Sequence, residues 1–226
     1  ESVSVTEEQY RAGPNSWLGM KIVSYIANQQ TEEAAARARS AYLPMALAMG
    51  DWLLSLQNND GGVRQGWRRQ EISDNGKKAW SVQPLEGYST EENLDAYRYF
   101  TELAALSNDQ KYAQAADRSL GWIKQRAYNK DEGYFYSGID AQGKPDRTPA
   151  LDAQVWPINA IGPEDLLDAG KGGGSIDPER LLEYVDRTFR VTVPFVREDG
   201  TVAQITGYDF TDDKTAERAR GRDREA

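Results

Sequence analysis

The sequence contains neither cysteine nor histidine among its 226 residues. The absence of cysteine excludes disulfides, thiolate nucleophiles and cysteine-ligated metal sites, and it leaves the redox compartment open. The absence of histidine excludes Ser-His-Asp and Cys-His arrangements, histidine-ligated zinc and a histidine general base. Any catalysis must therefore rely on carboxylates, lysine, tyrosine or a bound cofactor.

Positive charge is scarce as well, since 27 basic residues face 36 acidic ones and the net charge is -9. Such a chain repels phosphate backbones, so nucleic acid is not an expected partner. Apolar runs stay well short of the roughly 18 residues of a membrane span, so membrane insertion is not expected either. The first residue is Glu1, which fits an exported protein without its leader, and equally a boundary set by cloning. We accordingly predict an extracytoplasmic location, either periplasmic or secreted.

No cofactor and no metal are expected. The acidic glycine turns NNDGG, NKDEG and REDG lack the ligand series of a calcium loop and are better explained as stops after helices. The stretch GKGGG at Gly170–Gly174 follows no strand and is not followed in register by Lys-Ser/Thr, so it is not a phosphate-binding loop.

What the sequence does contain is a repeated pair of helical patterns followed by a glycine-bearing turn. Such repetition, at a spacing of roughly 70 residues, predicts three helical hairpins. Predicted N-caps, with a proline in the first turn of the last two, begin several of these helices: Thr31, Ser89, Asn108 or Asp109, Thr148 and Asp177. The predicted helices are 15–29, 31–57, 89–106, 109–127, 148–167 and 177–189.

The two helices of each predicted hairpin differ in kind. The first is apolar and aromatic with polar groups near its start, and the second is amphipathic, which favours a buried inner layer and a solvated outer layer. The inner N-terminal ends would then face a shared cavity. We predict an all-α, single-domain fold over 1–226. The charged segment 211–226 is predicted to be mobile.

Four stretches carry a family resemblance: Asn15-Ser-Trp, WLLSLQNNDGG, STEENLDAYRYF and LDAQVWPINA. Together they resemble the (α/α) toroid proteins of the six-hairpin glycosidase superfamily, over roughly 13–162. Related sequences of uncharacterised function have a similar STE-x-N-x-D element and an LDAQ-W element, but with histidine in place of Glu92. The resemblance implies a toroid, of which three hairpins are an incomplete ring, completed by further residues or by a second chain. WLLSLQNNDGG also resembles a hairpin of terpene cyclases, although a DDxxD-type diphosphate site is not evident.

The stretch STEENLDAY has two interpretations. Ser89 and Glu92 fit a capping box, with Glu91 merely favouring the positive end of the helix dipole. Alternatively, Glu91 and Asp95 lie on one helix face about 6 Å apart and hold different pKa values. In toroid glycosidases the acid/base pair generally comes from two inner helices, which the resemblance assigns here to Glu91 and Asp152. Asp95 or Glu92 would then be a third, modulating carboxylate.

Aromatic and amide side chains at the predicted inner helix starts are candidate substrate contacts, because aromatic faces suit the C–H faces of sugar rings. Such aromatic residues are more often part of the core, which explains Trp17 and Trp156 at least as well, whereas Trp80 lies in what the pattern predicts as a long ordered loop, 62–88. The candidates are Asn15, Trp17, Trp80, Asn93, Gln154 and Trp156.

Two functions remain open from the sequence. One is a glycoside hydrolase that acts through paired carboxylates on a carbohydrate substrate. The other is a non-catalytic glycan-binding or assembly protein on the same scaffold, which the Glu92 substitution favours.

Overall fold

The computed structural model describes residues 7–74 and 77–212, in which helices outweigh strands. The helices are α1 (Ala12–Ala27), α2 (Glu32–Leu56), α3 (Thr90–Ser107), α4 (Gln110–Trp122), α5 (Leu151–Ala160), α6 (Pro163–Leu167) and α7 (Pro178–Phe189), and a π-helical turn, Ile123–Ala127, continues α4. The strands are β1 (Glu7–Arg11), β2 (Gly66–Asp74), β3 (Lys77–Leu85), β4 (Tyr88–Ser89), β5 (Tyr128–Asn129), β6 (Tyr134–Phe135), β7 (Gly138–Ile139), β8 (Pro145–Asp146), β9 (Arg190–Val196) and β10 (Val202–Tyr208). Within the described ranges, no helix has the length and apolar character needed to span a bilayer. Apart from 211 and 212, the predicted mobile segment lies outside the described residues.

Most helices begin where the sequence predicts. Four predicted side chains accept a backbone N–H from the first turn of their helix, namely Thr31, Ser89, Asp109 and Asp177. The predicted cap at Thr148 is wrong, because α5 begins three residues later, with Ala150 at the N-cap position. The N–H of Leu151, the first residue of α5, donates to the carbonyl of Phe210. A backbone group distant in sequence thus replaces a capping side chain.

The helices pack as three hairpins along a row. Helix α1 packs on α2, α3 on α4 and α5 on α7, while α3 also contacts both α1 and α5. Helix α3 is the most deeply placed, and its Leu94, Tyr99 and Leu103 are fully buried. Close approach of α1 requires Gly19, since a Cβ there would lie 2.3 Å from Cζ of Tyr99. The row α1, α3 and α5 corresponds to the predicted inner helices. That they form an incomplete ring stays a prediction.

The all-α expectation is not confirmed, because the described residues form four small sheets, and two regions of the chain, 66–85 and 190–208, contain the longer hairpins. The predicted loop 62–88 is largely a β-hairpin, in which β2 pairs with β3 and β1 adds a third antiparallel strand. A second hairpin, β9–β10, follows α7. Both regions contain the β-branched and aromatic residues that favour strands. In 66–85 the many Arg, Lys and Gly residues nevertheless favour the prediction of a loop.

The three acidic glycine turns share one backbone feature. Gly61, Gly133 and Gly200 have φ of +96°, +77° and +83°, in the region that residues with a Cβ avoid. At Gly61 a Cβ would also lie 2.1 Å from the carbonyl oxygen of Arg118 on α4. Backbone geometry therefore explains all three glycines, but only the turn at Gly61 follows a helix as predicted. The prediction of a stop after a helix is wrong for Gly133, which lies between β5 and β6, and for Gly200, which lies between β9 and β10.

Candidate active site

The first turn of α3 carries the predicted carboxylates at different depths. The Ser89 hydroxyl caps the helix by accepting the N–H of Glu92. The N–H of Thr90 donates to the carbonyl of Ser137, which ties the helix start to the adjacent chain. Glu91 is exposed, whereas Glu92 and Asp95 are 6% and 1% exposed. Only Glu91 of the three therefore meets solvent directly.

Glu91 and Asp152 come together in one cleft. The first turn of α5 places Asp152 opposite the start of α3, where its negative charge acts on Glu91 and both residues line the same cleft. The N–H of Ala153 donates to Oδ1 of Asp152 at 2.7 Å. The cleft has a volume of about 370 Å³ and is lined by Ser89, Glu91, Ser137, Asp146, Thr148, Asp152 and Phe210, among others.

Glu91 holds its proton to higher pH than an isolated glutamate does. Partial burial raises the pKa of Glu91, and the negative charge of Asp152 raises that pKa further. Glu91 is therefore the member of the pair that is suited to donate a proton.

Glu92 faces away from the cleft and pairs with Arg11, which the sequence did not single out. The Nε of Arg11 lies 2.8 Å from Oε1 of Glu92. Burial raises the pKa of Glu92, although the Arg11 guanidinium opposes that rise. Its other oxygen, Oε2, has no hydrogen-bond partner among the described residues. Only half of the predicted capping box is formed, because Glu92 binds Arg11 of β1 instead of the N–H of Ser89.

An aromatic layer lies one helical turn below the carboxylate pair. Nε1 of Trp156, one turn after Asp152, donates to Oδ1 of Asp95 at 2.9 Å. Trp17 of α1 stacks on Trp156 with 5.5 Å between ring centroids and 15° between planes, and its indole also hydrogen-bonds to Asp95. Trp17 remains 43% exposed. Asp95 thus links the two indoles, neither of which lines the cleft itself.

Asp95 is the most strongly perturbed of these groups. Burial and, next, the charge of Glu91 raise the pKa of Asp95 to about 7, against the opposing hydrogen bonds from both indoles. The folded protein therefore keeps this proton at a pH where an unfolded chain has lost it.

This pKa predicts how stability changes with pH. Between about pH 4 and pH 7 the folded state binds more protons at Asp95 than the unfolded state, so the free energy of unfolding falls as pH rises and levels off above pH 7. We expect a loss of about 2–4 kcal/mol over this range relative to Asp95→Asn, which keeps the acceptor for Trp156 but does not titrate. Urea unfolding of both proteins at pH 4.5 and pH 7.5 measures it. An equal pH dependence in both would contradict the assignment.

Two predicted substrate contacts, Asn93 and Gln154, are occupied by the backbone. The Oδ1 of Asn93 accepts the N–H of Val63 at 2.7 Å, and its Nδ2 donates to the carbonyls of Val63 and Ser89. Gln154 makes the same pair of bonds to Phe135, at 2.8 Å each, and also donates to Ala150. Both side chains are fully buried. Each therefore clamps the chain just after a glycine turn to the next inner helix.

The remaining predicted contacts, Asn15 and Trp80, lie away from the carboxylate pair. Asn15 donates to the carbonyl of Arg11 and lines a separate apolar cavity with Trp52 and Trp67. Trp80 lies on β3, 45% exposed, with the Arg69 guanidinium 4.2 Å from its ring centroid. Neither lines the cleft.

Sequence reasoning missed several residues of the site. Ser137, Asp146 and Thr148 line the cleft, and Arg11 neutralises Glu92. Asp146 and Thr148 also line an adjoining polar groove of about 650 Å³. No local pattern marks them, because each reaches the site through a turn or strand end far from α3 in sequence.

Comparison with known proteins gives a fold and no family assignment. No family model matches the sequence, and no curated protein matches it. Several solved structures are similar. A family 76 glycoside hydrolase from a bovine Bacteroides thetaiotaomicron strain has a TM-score of 0.55 at 14% identity, over 86% of this chain and 38% of that one. A family 76 mannosidase from Bacteroides thetaiotaomicron has a TM-score of 0.55 at 11% identity, over 88% and 49%.

A family 78 rhamnosidase from a Bacillus species has a TM-score of 0.56 at 17% identity, over 79% of this chain and 17% of that chain. These proteins have (α/α) toroid folds of the six-hairpin glycosidase type, so the resemblance expected from the sequence is confirmed at the level of the fold. The chain spans less than half the length of each.

Proposed function

We propose that this protein is carbohydrate-active and hydrolyses a glycosidic bond with Glu91 and Asp152 as its acid/base pair. The observation that carries the proposal is the placement of both carboxyl groups in one cleft, where the charge of Asp152 raises the pKa of Glu91. The similar toroid proteins include a mannosidase and a rhamnosidase, which supports carbohydrate as the substrate class. A likeness of fold is a weak warrant for function by itself, so the proposal depends on the site.

Protonated Glu91 is the proposed general acid. It donates its proton to the glycosidic oxygen as the C–O bond breaks, and Asp152 attacks the anomeric carbon or deprotonates a water that does so. Retaining enzymes hold the two carboxyl groups about 5–5.5 Å apart and inverting ones about 6.5–9.5 Å, so the separation of Glu91 and Asp152 around a bound substrate decides the stereochemical outcome. Of the two side chains, Glu91 is the more exposed.

Binding would use the aromatic layer and the polar groove. The half-exposed face of Trp17 offers a stacking surface that Trp156 and Asp95 hold in place. The adjoining groove, which shares Asp146 and Thr148 with the cleft, gives room for further sugar units. Asn93 and Gln154 act in this proposal only by holding the inner helix starts.

A second candidate is a glycan-binding protein without turnover. The pairing of Glu91 and Asp152 in the cleft is compatible with it, because carboxyl groups hydrogen-bond to sugar hydroxyls without any turnover. Glu92, held by Arg11, stands where the resemblance found in the sequence implies a histidine, which agrees with a lost activity. An extracytoplasmic location and a second chain that completes the ring stay predictions.

The test is a panel of soluble polysaccharides, including α-mannan and rhamnose-containing glycans, given to the 226-residue chain. Release of reducing ends measures turnover, and affinity electrophoresis measures binding. Turnover of any member supports the hydrolase, and binding without turnover at any pH between 4 and 8 supports the binding protein. If no carbohydrate is bound or cut, both candidates are wrong.

A further inference from the structure

Lys124 is buried at the end of α4 with an unusual set of partners. It lies in the π-helical turn Ile123–Ala127, and its side chain is completely inaccessible to solvent. Its Nζ lies 2.6 Å from the carbonyl oxygen of Asp165 and 2.9 Å from those of Asp168, Lys171 and Gly174. An ammonium group has only three N–H donors, so four carbonyls at these distances surround it as they would surround a metal cation.

The chain from 165 to 174 is shaped around this side chain. Gly172 and Gly173 have φ of +71° and +77°. A Cβ on Gly172 would lie 3.0 Å from both Cδ of Lys124 and the carbonyl oxygen of Leu120, so the loop closes directly on the lysine stem. The glycine-rich stretch that fits no phosphate-binding pattern is thereby explained. It lets backbone carbonyls converge on one point.

The electrostatics of the loop favour a cation. Asp165 lies in α6 and Asp168 caps its C-terminal end, where helix carbonyls carry partial negative charge. Burial lowers the pKa of Lys124, while the nearby charges of Asp168 and Asp165 oppose that decrease. Lys171 pairs with the Asp165 carboxylate at 2.7 Å and so offsets part of this charge. The carbonyls replace the water that a buried ammonium would lose.

We propose that the carbonyl ring of residues 165, 168, 171 and 174 is a site for a desolvated primary ammonium ion, which the chain fills with its own Lys124. The loop is thus ordered by an internal cation in the way that other loops are ordered by a bound metal. The inference concerns a part of the fold outside the cleft and does not depend on the proposed carbohydrate function.

Chemical rescue tests the site. Lys124→Ala removes three methylenes and the ammonium, a group that n-propylammonium replaces. We expect n-propylammonium chloride to raise the Tm of Lys124→Ala in a saturable way, because a ligand that binds only the folded state stabilises it. Equal concentrations of 1-propanol and of tetramethylammonium chloride are the neutral and ionic controls, and the parent protein should respond to none of the three. If n-propylammonium and 1-propanol raise Tm equally, the space left by the lysine is an apolar cavity and not an ammonium site. If neither raises Tm, there is no site. Either result overturns the proposal.

A second measurement covers a variant that does not fold. If Lys124→Ala is insoluble, we expect refolding in n-propylammonium to restore soluble protein, and a failure to do so counts against the site. In Lys124→Met, which keeps the stem but not the charge, hydrogen exchange at 165–176 should accelerate at least tenfold. The matched control is Gln125→Ala, which removes one exposed hydrogen bond to Gly172 in the same loop. If Gln125→Ala accelerates exchange as much as Lys124→Met, the ammonium has no special role.

Discussion

Glu91→Gln is expected to lower kcat by about 10²–10⁴-fold on whichever polysaccharide the parent protein cleaves, because glutamine cannot donate a proton to the leaving oxygen. The side chain keeps its size, so substrate binding should change little. The residual rate of the variant should lack the decrease with rising pH that ionisation of Glu91 causes in the parent protein, since the group whose proton is needed is no longer present. Initial rates and affinity electrophoresis on the same substrate measure the two effects separately.

Two further variants show whether the effect belongs to the pair. Asp152→Asn should cause a comparable loss, and the double variant should be little worse than the poorer single variant, because residues that act as a unit are not additive. Glu183→Gln, an exposed glutamate on α7, is the matched control and should retain parental kcat. If Glu91→Gln retains the parental kcat, Glu91 has no role in the chemical step. If binding is lost while kcat is unchanged, Glu91 is a ligand contact.

Asn93→Ala is expected to destabilise the protein by about 3 kcal/mol, because it leaves the buried N–H and C=O of Val63 without partners. For a chain of this size such a loss lowers Tm by about 6–12 °C. The effect is large because the side chain of Asn93 joins the glycine turn after α2 to the first turn of α3. Urea unfolding followed by far-UV circular dichroism gives the free energy directly.

The matched control for the clamp is Asn159→Ala, an exposed asparagine on α5, which should change stability by less than about 0.5 kcal/mol. Gln154→Ala should resemble Asn93→Ala, since it removes the equivalent bonds to Phe135. If Asn93→Ala were as stable as the parent but bound glycan poorly, the side chain would be the ligand contact that the sequence suggests.

Local features were readable in advance. Ser89, Asp109 and Asp177 cap the helices where predicted, because capping depends on a side chain and backbone N–H groups only two or three residues away. The positive φ of Gly61 follows from the same local chemistry. Thr148 failed as a cap because the carbonyl of Phe210, about 60 residues further on, takes the N–H of Leu151.

The two longer hairpins were missed although their pairing is local. The charged and apolar residues of 66–85 do not alternate regularly in the sequence, so the pattern resembles a solvated loop. Pairing between segments distant in sequence places β1 beside β2. The same applies to Arg11, whose partner Glu92 lies on another element.

The sequence by itself determined that any catalysis must use carboxylates, lysine, tyrosine or a bound cofactor, since the chain has no histidine or cysteine, and that helical hairpins repeat along the chain. Only the tertiary structure decided which polar residues are free. The packing of α3 on α5 brings Glu91 to Asp152 and Asp95 to Trp156, whereas Asn93 and Gln154 are used up by backbone groups. The physical reason is that composition and neighbouring residues define which groups are present, but buried hydrogen bonds are assigned by contacts between elements distant in sequence.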